Sequence, residues 1–589
     1  MCGIGGTVGR RPDPALLERM AATMVKRGPD GQGIWTDDRA GLAATRLAII
    51  DLHERSNQPL HLGPLHLAFN GEIYNYRELK EELLGLGHAF ETEGDAEVLL
   101  HAWAEWGEGA LERFNGMFAL AIWDAEQGAL TLACDPFGEK PLYFSRAGGG
   151  LVFASEVKAL EVQARADESA LARYVARGVM PVPPTCFFEG IERLPGSHLL
   201  RWSEDGTELR RYWRPRPVDV PAAYDDAVAE LRELLLDSIR LRLRSDVPVG
   251  TSLSGGIDSS SVVMLSAELA GDHRRHAFTA RFPGYERDEW HYAREVAERA
   301  GVVEHHAIEP TAEDAVADLQ QLVLDHEEPV ASLSVYAQWR VMKAAREAGV
   351  TVLLDGQGGD ELFGGYPIAS GFAVRSRGIA ATVREAAASP SRAATVAKSL
   401  AVDHLPGPAR RAYFRFSASP YAVSGFEDGD QRDLGGADPL RRELLRESFA
   451  TSLPELLRYA DRSSMAHSRE VRLPFLDRRI AELAFSLPPE FLYEDGTTKR
   501  IVRDAGRGLV PDDILARRDK VGYEPPQRAW LEHPAFRELA GDVLVSSRGL
   551  YRTEEIQRDL RDGAWRDPAG LWRALNAELW LRSLAPAAG

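Results

Sequence analysis

The chain has 589 residues, 44% of them hydrophobic and 27% charged, with a net charge of −19. The length suggests roughly two to four domains, the composition is that of an ordinary globular protein, and the acidic balance argues against nucleic acid, whose binders carry basic patches. No apolar run approaches the ~18 residues of a membrane helix, no signal-peptide pattern opens the chain, and three cysteines without a CxxC spacing suit a reducing cytoplasm better than a disulfide framework.

In chain order, the first ~155 residues alternate short apolar runs with Gly, Pro, Asn and Asp, a spacing that predicts strands. The runs are Leu65–Phe69, Phe118–Trp123, Leu130–Cys134, Leu142–Phe144 and Leu151–Ala154. Helical periods fall at 13–26, 76–87 and 95–106, so an α+β unit with antiparallel pairing is expected. Cys134 and Cys186 sit among apolar neighbours and read as core residues. The segment 179–221 is proline-rich and reads as a connector.

From about 224 the period changes. Helices at 226–243, 258–270, 287–300, 312–325 and 335–348 alternate with strands at 247–253, 276–282, 302–308 and 350–354. That alternation predicts a parallel sheet covered by helices. Beyond ~365 the pattern is mostly helical, and the Ala/Arg/Ser-rich stretch 380–412 reads as a mobile surface helix pair.

Cys2 directly follows the initiator methionine. If Met1 is removed, the α-amine of Cys2 can act as general base for its own thiol, with no histidine needed. Any second residue can be cysteine by chance, so the context has to carry the reading. Downstream stand Arg27-Gly28-Pro29-Asp30, Arg46-Leu47, Asn70-Gly71-Glu72-Ile73-Tyr74-Asn75 and Asp95. An amide substrate with an α-amine and an α-carboxylate needs an arginine for one and acids for the other. Its tetrahedral intermediate needs donors such as an Asn amide and a Gly N–H.

These motifs, with Asp135-Pro136-Phe137-Gly138-Glu139-Lys140-Pro141-Leu142-Tyr143 and Phe153–Leu160, resemble class II glutamine amidotransferases. The resemblance implies an N-terminal-nucleophile hydrolase fold, an αββα sandwich, over 1–210. It implies Cys2 as nucleophile, Asn70 and Gly71 as oxyanion hole, and Arg46, Asn70, Glu72 and Asp95 around glutamine. Two departures are Lys26, where a histidine is usual, and Ala44-Thr45 before Arg46; neither touches those roles.

After a short linker (211–224), the strand 247–253 runs into Ser254-Gly255-Gly256-Ile257-Asp258-Ser259-Ser260 and a helix. Strand, glycine-rich turn and helix N-terminus in that order make a phosphate site. The turn lacks a Walker ending and resembles the pyrophosphate loop of the N-type ATP pyrophosphatases. A second cluster, Asp355-Gly356-Gln357-Gly358-Gly359-Asp360-Glu361, follows the strand 350–354, at the strand end where open α/β sheets bind ligands. Asp258 and Asp360 are suited to Mg²⁺.

Farther on, Asp461–Ala466, Glu470–Asp477, Thr498-Lys499-Arg500, Pro511, Lys520-Val521-Gly522-Tyr523 and Trp530 match asparagine synthetases. Over nearly the whole chain the sequence therefore resembles the asparagine synthetase B family. The exception is 367–450, which reads as a divergent helical insertion in the synthetase domain 225–589. The resemblance implies ATP as substrate, Mg²⁺, glutamine and a carboxylate acceptor, with aspartate first, and leaves a homodimer open. It implies Lys499 and position 357 as catalytic residues. Leu253, Ser254, Gly255, Gly256, Asp258, Ser259, Ala280, Asp355 and Gly356 would surround the nucleotide, Ala280 standing where valine is more usual.

Position 357 is the departure that bears on chemistry. Asparagine-forming enzymes usually carry Glu there, and Gln cannot accept a proton at neutral pH. The alternative is the same mechanism with another carboxylate, such as a uronic acid or a natural-product precursor. A non-catalytic glutamine- and nucleotide-binding protein is disfavoured because Cys2, Asn70, Asp258, Asp360 and Lys499 are all present.

Overall fold

The structure is a computed structural model that describes residues 2–147, 149–269, 275–424, 434–518 and 524–584. Its N-terminal part is built on two six-stranded antiparallel sheets. In the first, the strand Cys2–Val8 lies between Ala40–Arg46 and Gly150–Ala154. In the second, Leu65–Ile73 pairs with Gly116–Asp124, which pairs in turn with Ala129–Cys134. Alternate side chains point to opposite faces of a strand. Ile4, Leu42, Ala68, Ala119, Trp123 and Phe153 fill the space between the sheets, while Leu67 and Phe69 face outward.

Helix Pro14–Thr23 covers the first sheet through Leu17 and Met20; helices Tyr76–Gly85 and Asp95–Trp106 cover the second through Leu79, Leu83 and Leu99. The result is the αββα sandwich of an N-terminal-nucleophile hydrolase. All three cysteines are buried and unbridged.

Three features differ from the sequence reading. The strand that begins at Leu65 runs on to Ile73, so Asn70-Gly71-Glu72 lies inside it. A Cβ on Gly71, whose φ is +154°, would stand 2.0 Å from the Met117 carbonyl, and the register with Phe118 tolerates only glycine there. The proline-rich connector contains a hairpin, His198–Ser203 with Gly206–Arg211, that extends the second sheet beyond Ala129–Cys134. Alternation in Leu199-Leu200-Arg201-Trp202 was too short to stand out among the prolines. Around 380–412 there are three helices, Ile379–Ala388, Pro390–His404 and Gly407–Phe416, rather than two. The prolines at 390 and 408 sit in first helical turns, where proline is tolerated.

The rest of the chain is organised by a five-stranded parallel sheet in the order Glu304–Ile308, His276–Ala280, Val249–Ser252, Val352–Leu354, Glu470–Arg472. Chain order runs outward in one direction from Val249–Ser252 and then resumes on its other side. The crevice at this switch point is where loops from two neighbouring strands can close on a ligand. Among the described residues no helix is long and apolar enough to cross a membrane.

The two parts meet through buried charge. Arg27, fully buried, donates to both oxygens of Asp461 at 2.8 and 2.9 Å and to Glu156 at 3.2 Å. Arg462, also fully buried, reaches Glu156 at 3.0 Å and Glu327 at 2.7 Å. Burial pushes the Asp461 carboxyl up, and Arg27 more than reverses that, holding it below its usual range. Lys26, the departure noted above, adds an ion pair to Asp325 at 2.8 Å.

Removing one partner of such a network strands the other in a site without water. Asp461→Asn is expected to destabilise the folded chain by about 3 kcal/mol, whereas Arg27→Met with Asp461→Leu should recover most of that loss. Urea unfolding midpoints of the two variants against the parent test this; equal midpoints for parent and Asp461→Asn would show the network to be energetically idle.

Candidate functional site

Two sites emerge. The first is a small cavity of about 30 Å³ whose walls include Cys2, Arg46, Gly71, Glu72 and Asp95. Cys2 opens the central strand of its sheet, and its N–H donates to Asn70 Oδ1 at 3.0 Å. The Asn70 Nδ2 is buried and has no hydrogen-bond partner among the described residues, so its two protons are available to an incoming oxygen. Burial pushes the Cys2 thiol up, and the Leu47 backbone and Arg46 pull it back only in part.

Gln58, which nothing in the sequence marked, places its Nε2 3.8 Å from the thiol while its Oε1 accepts the Phe69 N–H. Arg46 spends both terminal nitrogens on the loop it faces: on the carbonyls of Ile50, Asp51 and His53 and on Asn57 Oδ1. It shapes the cavity wall, and a substrate carboxylate would compete with those carbonyls.

The electrostatics of this cavity are lopsided. Asp95 accepts the Ile73 N–H at 2.8 Å, yet burial, joined by Glu470, pushes its carboxyl up to about 6. Glu72 is raised well above the usual carboxylate range by burial, then by Asp95 and Glu470, against the pull of Arg472. Its Oε2 has no hydrogen-bond partner among the described residues. Two buried acids in this condition are a receptor for a cation, and the α-ammonium of an amino acid has the right charge and donor number.

The second site is a cavity of about 580 Å³ at the switch point of the parallel sheet. The loop after Val249–Ser252 contributes Ser254, Gly256, Asp258 and Ser259; the loop after Val352–Leu354 contributes Asp355, Gly356, Gln357 and Asp360. Ser254 Oγ accepts the Gly256 N–H and contacts Ser259 Oγ at 3.0 Å, drawing the turn tight before helix Ile257–Leu269. Gly255 does not line the cavity; its carbonyl is held by Arg517 at 3.1 Å, a second residue the sequence did not flag. The two loops interlock closely: a Cβ on Gly359 would stand 2.6 Å from the Asp258 carboxylate.

Lys499, from a distant segment, places its Nζ 2.5 Å from both Asp258 and Asp360. The two carboxylates thus converge on one cation-sized point. Their oxygens are the donors a Mg²⁺ ion takes, and the phosphates of a nucleotide would complete its shell.

Asp355 is pushed up to about 6 by burial, which outweighs the Gln357 N–H donated to its Oδ1 at 3.2 Å, and its Oδ2 has no hydrogen-bond partner among the described residues. Gln357 Oε1 is likewise buried without a partner, and the residue faces the cavity. Leu253 is packed fully inside and Ala280 is half-buried against the core, so neither reaches the cavity wall. Lys520–Tyr523 lie outside the described residues.

Comparison with known sequences matches residues 1–213 to a glutamine amidotransferase domain and residues 230–582, more than half the chain, to asparagine synthase. The chain belongs to the asparagine synthase family. Relatives include glutamine-hydrolysing asparagine synthetases 1 and 3 of Bacillus subtilis, each 31% identical. Alignment with the first covers 98% of this chain and 96% of the relative; with the second, 93% and 90%. The amidase chry2 of Gibberella zeae is 28% identical over 97% of this chain and 96% of its own. Family membership makes the protein an amidotransferase-type ligase and implies ATP; it leaves the amidated carboxylate open.

The acid pair gives a pH signature. Without a bound cation, the raised folded value of Asp95, about 6 against an ordinary 3.8, contributes stability below about pH 4 that is lost as pH rises through about 6. A bound ammonium favours the ionised form, so proton and glutamine compete. KM for glutamine is expected to rise as pH falls through 6, and Asp95→Asn to raise KM and flatten that dependence. Glutaminase kinetics from pH 5 to 8 measure it; a pH-independent KM in the parent would refute the assignment.

Proposed function

We propose that the chain is a glutamine-hydrolysing, ATP-dependent amide synthetase with aspartate as its first acceptor. It converts ATP, aspartate and glutamine to asparagine, glutamate, AMP and pyrophosphate. The observation that carries this reading is the convergence of Asp258, Asp360 and Lys499 on one point beside the Ser254–Ser259 turn, in a chain whose Cys2 pocket is built for an amino-acid amide.

In the first half-reaction Cys2 Sγ attacks the glutamine side-chain carbonyl. The amine freed by loss of Met1 takes the thiol proton and returns it to the departing ammonia. Asn70 Nδ2 and the Gly71 N–H receive the oxyanion, and Glu72 with Asp95 hold the α-ammonium. Water then releases glutamate.

In the second half-reaction the acceptor carboxylate attacks the α-phosphorus of ATP, the bond to the β-phosphate oxygen breaks, and pyrophosphate leaves into the Ser254–Ser259 turn. Asp258 and Asp360 would hold Mg²⁺, which neutralises phosphate charge when bound. Lys499 opposes the charge that builds as pyrophosphate departs, Asp355 and Gly356 accept the nucleoside, and ammonia displaces AMP from the acyl carbon. The arrangement of the two sites favours internal delivery of ammonia. Arg472 stands 3.7 Å from Glu72 with its side chain and accepts the Asp355 N–H at 3.0 Å with its carbonyl, so one strand separates the pockets.

Cys2→Ala is expected to abolish amide formation from glutamine and spare it from free ammonia. AMP should be the stoichiometric nucleotide product with either donor. Equal loss with both donors, or ADP in place of AMP, would overturn the two-site reading.

A second reading keeps the mechanism and changes the carboxylate. It is favoured by Gln357, a neutral amide with its acceptor oxygen unpartnered at the cavity wall, and by the likeness to a protein named as an amidase. Losing a negative charge beside the incoming carboxylate shifts acceptor preference by on the order of 1–3 kcal/mol. Gln357→Glu is expected to raise the rate with aspartate under saturating ammonia and ATP. If the parent already forms asparagine efficiently and the substitution slows it, aspartate is the natural acceptor and the neutral amide belongs to its site.

A further inference from the structure

Away from both sites, at the end of the parallel sheet opposite the catalytic loops, three donor atoms face one another. His276 Nδ1 is 3.2 Å from His306 Nε2, and Glu304 Oε2 is 3.5 Å from the first and 3.7 Å from the second. The triangle is set by strand register. His276 pairs with Glu304 and Phe278 with His306 across two adjacent parallel strands, so all three side chains rise from one face. Strands climb about 3.3 Å per residue, which puts His276 roughly 13 Å from the far end of its strand, where the catalytic cavity lies.

The geometry has a chemical meaning. Four donors at about 2.0–2.2 Å around a tetrahedral ion are separated from one another by about 3.3–3.6 Å. The three separations here bracket that value and involve one atom from each residue. The ring of Phe278 stacks on His306 with centroids 4.5 Å apart and planes 7° apart, and lies nearly parallel to His276 at 6.4 Å, which holds the imidazole planes in place. The side chains of His276, Glu304 and His306 keep 14%, 30% and 29% of their surface exposed, enough for water to reach a fourth position.

We propose that His276, Glu304 and His306 bind a borderline divalent transition-metal ion, Zn²⁺ foremost, with water as fourth ligand. The ion ties the edge strand Glu304–Ile308 to its neighbour. Two imidazoles and one carboxylate select such an ion over Mg²⁺ or Ca²⁺, which prefer all-oxygen shells. The site is separate from the Asp258–Asp360 pair and independent of which carboxylate the enzyme amidates. The competing account is a plain N–H···N hydrogen bond between two neutral histidines beside a carboxylate.

The experiment titrates Zn²⁺ into the full chain against a chromogenic chelator, with Mg²⁺ in excess to occupy the catalytic carboxylates, and follows thermal unfolding in parallel. Wild type is expected to take up one equivalent of Zn²⁺ and to unfold at a higher temperature with it. His276→Asn and His306→Asn are each expected to weaken binding by at least about tenfold, to remove the thermal shift and to leave glutamine hydrolysis unchanged. Glu304→Gln, nearly identical in shape, serves as the third probe should either histidine change disturb folding. Co²⁺ in place of Zn²⁺ should show the visible absorption of a tetrahedral ion. No Zn²⁺ binding by wild type, or stoichiometric binding unchanged in the variants, would leave the hydrogen-bonded histidine pair as the correct account.

Discussion

Arg27 and Arg462 sit where no water reaches them, between the antiparallel sandwich and the helices that back the parallel sheet. A guanidinium in such a place is tolerable only while carboxylates hold it in good geometry. Glu156 belongs to the sandwich; Asp461 and Glu327 come from the other half. The two halves therefore cannot drift apart without leaving charge uncompensated, and their relative position follows from that constraint. Everything at the boundary inherits it. Asn115 of the sandwich donates to Asp477, Lys26 meets Asp325, and Arg472 stands 3.7 Å from Glu72.

That placement sets the second site one strand away from the first. The strand Glu470–Arg472 presents an arginine side chain to one pocket while its backbone holds the loop that begins the other. The chemistry in each pocket is local: two buried acids near Cys2, and a lysine held between two aspartates beside the Ser254–Ser259 turn. The net charge of −19 bears on neither, because short-range geometry sets the field within a cavity.

The long helices and most strands were legible because their periods are carried by many residues. Tyr76–Gly85, Asp95–Trp106 and Ser334–Glu347 lie within a few residues of where the periodicity places them. Single residues without a pattern were not legible. Gln58 and Arg517 act through one or two contacts each, and Glu327 matters because Arg462 happens to face it. Some residues of the family motifs are architectural in space. Asp135 accepts the N–H groups of Phe137, Gly138, Glu139 and Lys140 and so builds its own turn, while Asp461 and Arg462 serve the boundary between the halves. Leu253 and Ala280, expected at the nucleotide, lie in or against the core behind the loop.

By itself the sequence determined the class of fold in each half, the order of the strands and helices, and the residue types that could do the chemistry, because these depend on period, turn residues and short spacings along the chain. Only the tertiary structure decided which residues meet. Lys499 reaches Asp258 across 241 positions, Arg27 reaches Asp461 across 434, and His276 meets His306 across 30. Such contacts are set by the packing of apolar faces and by sheet register, in which each residue's place depends on every element around it. No local pattern carries that information, since a lysine or an arginine reads the same in a string whatever carboxylate it will face.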